Sequence, residues 1–104
     1  MELERFLEIR KVMCAENPLV TEGKMMRSPA IKYNGSVFAF LSRQHKMVFK
    51  LGKDYPDEVL GVPRSPFNPF KTKKPLAGWY ELGFGHQEKW GAFAAKALEK
   101  IKSE

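Results

Sequence analysis

Apolar residues recur at helical spacing near both ends of the chain and alternate with polar ones between them. From Glu2 to Glu16, the residues Leu3, Phe6, Leu7, Ile9, Met13 and Cys14 share one broad stripe at a helical period. Asn17-Pro18 stops this helix, because the residue before a proline is pushed out of the helical region. Arg10 sits near the middle of the stripe, where a long cation snorkels or pairs with a carboxylate at the buried edge; a contact to a bound anion is the alternative. From Gln87 to Lys102, a second series of Trp90, Phe93, Ala94, Ala97, Leu98 and Ile101 faces one way, with Lys89, Lys96, Glu99 and Lys100 on the solvent side. Ala94 and Ala97 inside that series predict close approach to a sheet.

The sheet is read from the middle of the chain. Asn34-Gly35 lies between Ala30-Ile31-Lys32-Tyr33 and Ser36-Val37-Phe38-Ala39-Phe40-Leu41. Asn and Gly both tolerate the positive φ that a type I′ hairpin turn demands. Pairing Tyr33 with Ser36 then sets Lys32 opposite Val37 and Ile31 opposite Phe38. A further strand runs from Met47 to Leu51, and a four-residue loop of Arg43-Gln44-His45-Lys46 would pair Phe40 with Phe49 and Phe38 with Leu51. In that register Ile31, Tyr33, Phe38, Phe40, Met47, Phe49 and Leu51 form a large apolar face. Ala30, Lys32, Val37, Ala39, Leu41, Val48 and Lys50 form a smaller mixed one.

Residues 54–60 predict a short helix, with Asp54 as N-cap, Pro56 in its first turn and Gly61 at its end. Residues 62–78 carry Pro63, Pro66, Pro69 and Pro75, which preclude regular ladders and stiffen the path into a fitted loop. Trp79-Tyr80-Glu81-Leu82-Gly83-Phe84 reads as another strand. The order helix, strands, short helix, strand, helix predicts a single α+β domain, a two-layer sandwich with an antiparallel sheet and helices packed on one face.

Charge adds a second kind of information. The 104-residue chain is basic, with a formal net charge of +6. Residues 23–53 contain no carboxylate and carry Lys24, Arg27, Lys32, Arg43, Lys46, Lys50 and Lys53. Residues 59–80 are likewise acid-free and add Arg64, Lys71, Lys73 and Lys74, so the rest of the chain is net acidic. Segregated positive charge points to an anionic partner. The single Cys14 rules out an internal disulfide and reads as a small buried hydrophobe in a reducing cytosol. No apolar run approaches the roughly 20 residues of a membrane span, and Met1-Glu2-Leu3-Glu4 lacks the basic start of a secretory signal. A cytoplasmic protein without membrane contact is expected.

Catalytic patterns do not emerge. His45 and His86 have no metal-type ligand at helical spacing, so the first reads as an exposed hairpin tip and the second as a helper at the N-cap of the last helix. Asp54, Asp57 and Glu58 read as a solvated acidic face, and Glu81 as an isolated strand carboxylate. Gly83-Phe84-Gly85 suits a strand-to-helix turn. A small-molecule enzyme using residues 62–78 as a lid would lack a placed catalytic group, so neither an enzyme, a cofactor nor a metal is expected.

Several segments taken in order resemble the N-terminal domain of the competence regulator TfoX and its single-domain relatives, the MmcQ/YjbR-like group. They are Lys24-Met25-Met26 as an entry strand, Ser28-Pro29-Ala30-Ile31-Lys32, Val37-Phe38-Ala39, Val48-Phe49-Lys50-Leu51, Pro66-Phe67, Lys74-Pro75-Leu76-Ala77-Gly78-Trp79 and the last helix. Met25-Met26-Arg27-Ser28 stands where the TfoX type has a Met-Phe-Gly-Gly turn, which favours the broader group. The resemblance implies an α+β domain with an antiparallel sheet and no assigned enzymatic activity; some relatives are labelled DNA-binding.

The expected function is a small non-enzymatic binding domain that holds nucleic acid or an acidic protein. Lys32 and Lys50 flank Ala39 on one sheet face and frame a shallow groove; Arg27, Arg64, Lys73 and Lys74 extend it, and Trp79 offers a stacking platform. The alternative is a homodimer or adaptor that pairs through Ala30, Val37, Ala39, Leu41 and Val48 on the same face.

Overall fold

In the computed structural model, which describes residues 1–25, 27–52, 58–59, 61–63, 65–67 and 78–103, helix α1 (Glu2–Glu16) opens an α+β sandwich. Strands β1 (Val20–Met25), β2 (Ser28–Tyr33), β3 (Ser36–Leu41) and β4 (Met47–Lys50) follow as an antiparallel meander. A short ribbon of β5 (Glu58–Val59) and β6 (Val62–Pro63) comes next. Strand β7 (Trp79–Leu82) then pairs with β4, completing a five-stranded sheet in the order β1-β2-β3-β4-β7. A single 3₁₀ turn, Phe84–His86, leads into α2 (Gln87–Lys102), which packs across the sheet. Among the described residues, no helix is long and apolar enough to cross a membrane.

Helix α2 buries the stripe its sequence predicts. Trp90, Phe93, Ala94, Ala97 and Ile101 are buried, with Leu98 packed at the margin. Trp90 is fully enclosed and its indole N–H donates to the Gly83 carbonyl at 3.1 Å, satisfying the one polar group it brings into the core. Helix α1 behaves differently. Phe6, Ile9 and Met13 are buried, but Leu3 and Leu7, expected in the core, remain 45% and 37% exposed. The cause is position: α1 packs on edge strand β1 on one side and on α2 on the other, so its outer flank overhangs the sheet. His86 takes the N-cap position of α2, but its side chain makes no capping bond.

Two local irregularities change which residues face the helices. The Asn34-Gly35 turn has positive φ at both residues, and Tyr33–Ser36 and Lys32–Val37 pair as the sequence predicts. Beyond Lys32 the register slips, so that Ile31 pairs with Ala39 and Phe38 is the extra residue of a bulge. At the next turn the Ser42 N–H donates to Lys46 O at 2.8 Å, and His45 takes a left-handed φ of 62°. A three-residue loop closed by a left-handed residue therefore replaces the four-residue loop. Ala39 pairs with Phe49 and Phe40 with Val48, one residue away from the expected Phe40–Phe49 pairing. Ala39 and Leu41 accordingly join the helix-side core with Ile31, Phe38, Met47, Phe49 and Leu51, and Phe40 turns to the opposite face.

That opposite face carries a second core. Ala30, Phe40, Val48 and Phe67 are buried there, fringed by Met25, Val37 and Trp79. Phe67 meets Phe40 edge-to-face at a centroid distance of 5.4 Å, and Trp79 lies 5.6 Å from Phe40. Residues 65–67 reach this face by bonding to the free side of β7, with Phe67 N–H donating to Trp79 O at 2.9 Å and Glu81 N–H to Ser65 O at 2.8 Å. The short helix expected over residues 54–60 is replaced at Glu58-Val59 by the extended pairing of the β5–β6 ribbon, turned at Gly61 with a φ of 77°. The rest of that expected helix, and most of the proline-rich loop, lie outside the described residues.

Candidate anion-binding site

The basic residues of the β1–β2 hairpin gather around its open edge. Its tip places Arg27 in a left-handed conformation, φ 72°, between Met25 and Ser28, which close the ladder. Lys24 precedes the tip on β1, and both cations are exposed. Arg10 approaches from α1: its guanidinium donates to Ala30 O at 3.3 Å, pairs with Glu22 at 3.7 Å and rests 5.7 Å over the Phe6 ring. Its side chain is only 14% exposed, so the sequence reading of a cation tied to an edge carboxylate holds. Together Arg10, Glu22, Gly23, Lys24, Arg27 and Pro29 line a recess of about 330 Å³ on the helix side of the hairpin. Three cations against one carboxylate give it a positive excess, and guanidinium forks suit planar or tetrahedral oxyanions.

Lys32 serves the other face. It stands opposite Thr21, and its side chain crosses Gly23: a Cβ there would come within 2.7 Å of Lys32 Cδ. Glycine at position 23 therefore lets the lysine stem lie flat across β1 toward the free edge. Among the described residues, no carboxylate pairs with Lys24, Arg27 or Lys32, whereas Lys46 is held by Glu81 at 3.7 Å.

The structure separates the residues that the sequence had grouped. Lys50 lies opposite Trp79, beside the Asn34-Gly35 end of the sheet, and lines a polar recess with Tyr33, Asn34, Ser36 and Lys102. Arg27 occupies the opposite end of β2, about 20 Å away at roughly 3.3 Å per strand residue. Ala39, expected at the floor of a groove between Lys32 and Lys50, faces the helices, and the floor is the Phe40–Val48 core instead. Trp79 is half-buried against Phe40. Arg64, Lys73 and Lys74 lie outside the described residues. Sequence reasoning named Arg27, Lys24 in the acid-free stretch and Arg10 in the apolar stripe of α1, but did not bring the three together.

Other features have ordinary explanations. A shallow cleft of about 350 Å³ between α1 and α2 is lined by Ile9, Val12, Met13, Gly91, Ala95 and Leu98, with Arg5, Glu8, Glu16 and Asn17 among its polar groups. Cys14 is part-buried at the core margin; burial pushes its thiol pKa up, Glu22 pushes it further and Arg10 opposes both. No group of three potential metal ligands occurs among the described residues. No family model, curated protein or solved structure matches the chain.

Proposed function

We propose that this chain is a small non-enzymatic binding domain whose β1–β2 hairpin engages an anionic partner, with nucleic acid the first partner to test. The observation that carries this reading is the set of three cations that the β1–β2 hairpin presents, Lys24 and Arg27 on its helix side and Lys32 on the other face, without carboxylate partners among the described residues. A phosphate backbone presents regularly spaced charge to such an edge, and each contact releases a counterion. The resemblance to the TfoX N-terminal group favours the same reading, and the single part-buried Cys14 suits a cytoplasmic setting. Of the strip named for the alternative homodimer or adaptor, Ala30 and Val48 are buried on the outer face, Val37 is partly buried beside them, and Ala39 and Leu41 belong to the helix-side core, which favours the hairpin as the binding surface.

The test is fluorescence anisotropy with labelled single- and double-stranded DNA across a salt series. Three phosphate contacts would give a slope of about −2 to −3 in log affinity against log salt. Arg27→Glu combined with Lys32→Glu is expected to weaken binding at least tenfold and to flatten that slope by about two. Binding that ignores both substitutions, or that vanishes at physiological salt for both DNA forms, refutes nucleic acid as the partner. An acidic protein is then the next candidate.

A further inference from the structure

The two edges of the sheet are treated differently. At β7 the outer edge is occupied by residues 65–67, which bond to Trp79 and Glu81. At β1 the described residues leave the outer edge without a strand, and β1 is the terminal member of the sheet. An uncovered edge is a template for another strand.

Hairpin geometry fixes which backbone groups that edge presents. Met25 pairs with Ser28 across the two-residue tip, so Met25, Gly23 and Thr21 direct their N–H and C=O groups inward to β2. Pro29, which has no N–H, stands opposite Lys24 at a position where none is needed. Glu22 and Lys24 therefore turn their N–H and C=O groups outward. A second copy pairing antiparallel through these groups can centre its two-fold axis on residue 22, 23 or 24. Centring on Glu22 or Lys24 sets like charges face to face. Centring on Gly23 sets Glu22 opposite Lys24 of the second copy twice, each a mutually hydrogen-bonded pair of opposite charge. At the axis itself two glycines meet, where strands approach most closely.

A separate feature lies on the same side of the molecule. Leu3 and Leu7 fall on the helical row of α1 that continues through Arg10 and Cys14, and Arg10 reaches Glu22 on β1. These two leucines are exposed on the helix that packs against β1.

We propose that β1 is a homodimer interface, joining two five-stranded sheets into one continuous antiparallel sheet with the two-fold axis at Gly23. The proposal shares Lys24 with the anion-binding residues but needs no anion. Sedimentation equilibrium of the full chain, without nucleic acid, between about 10 µM and 1 mM tests it. The wild type is expected to rise from 12.0 kDa toward twice that mass. Lys24→Glu leaves an all-acidic edge and Glu22→Lys an all-basic one, and each alone should weaken association at least tenfold. An equimolar mixture of the two variants should associate again, because both pairs of positions 22 and 24 across the axis then join opposite charges. Both positions are exposed, and circular dichroism verifies that each variant is folded. A wild type that stays monomeric throughout, single variants that dimerise as well as the wild type, or a mixture that remains monomeric would each overturn the proposal.

Discussion

Arg10 occupies an apolar helical row because α1 lies at the margin of the sheet, where a guanidinium can touch a strand carbonyl, a carboxylate and a ring face together. The sequence reading anticipated a tethered arginine without naming Glu22, since β1 was visible only as an entry strand near Lys24. Its neighbour Cys14 has a sharper consequence. Burial and Glu22 raise the folded thiol above its ordinary value of 9.0. As pH climbs past the value of the unfolded chain, the unfolded state loses the proton first while the folded state keeps it. Stability then falls until the folded thiol also ionises, and below that window the thiol contributes no pH dependence. Urea midpoints measured at pH 8 and 10 should therefore drop more for the wild type than for Cys14→Ala. Equal drops would mean that the thiol is not shielded in the fold.

At the scale of elements, β3 is where the pattern misled. Val37, Phe38, Ala39, Phe40 and Leu41 give a nearly continuous apolar run, which suits either phase. The bulge at Phe38 and the left-handed His45 set the phase, and neither has the glycine that would advertise it. Asn34-Gly35 does advertise its turn, and that pairing was legible, as were the α2 stripe and the helix-side positions of Ile31, Met47 and Phe49. The phase is testable at Ala39, which is fully buried between sheet and helices. Ala39→Leu overpacks that core and should cost about 1–3 kcal/mol in urea unfolding, whereas on an open face it would change stability by less than about 0.5 kcal/mol.

Across the whole molecule, the asymmetry is between a stitched edge and one that the described residues leave bare. Residues 65–67 close the β7 side and cap the outer face with Phe67, which removes the surface that the sequence had offered for binding. Charge is left to act at the β1–β2 hairpin, where Gly23 makes way for Lys32 and Arg27 holds the tip. The acid-free character of residues 23–53 was legible; the division of its cations was not, since Lys24, Arg27 and Lys32 fall on one hairpin while Lys50 lies at the far end of the sheet. The most direct test is a nuclear magnetic resonance titration of isotope-labelled protein with a short DNA oligonucleotide, followed at backbone amides. Shifts that begin at Arg27, Ser28 and Lys32 and fade toward α2 are the predicted result. Shifts confined to Lys96, Lys100 and Lys102, or no shift at all, would contradict an anion-binding hairpin.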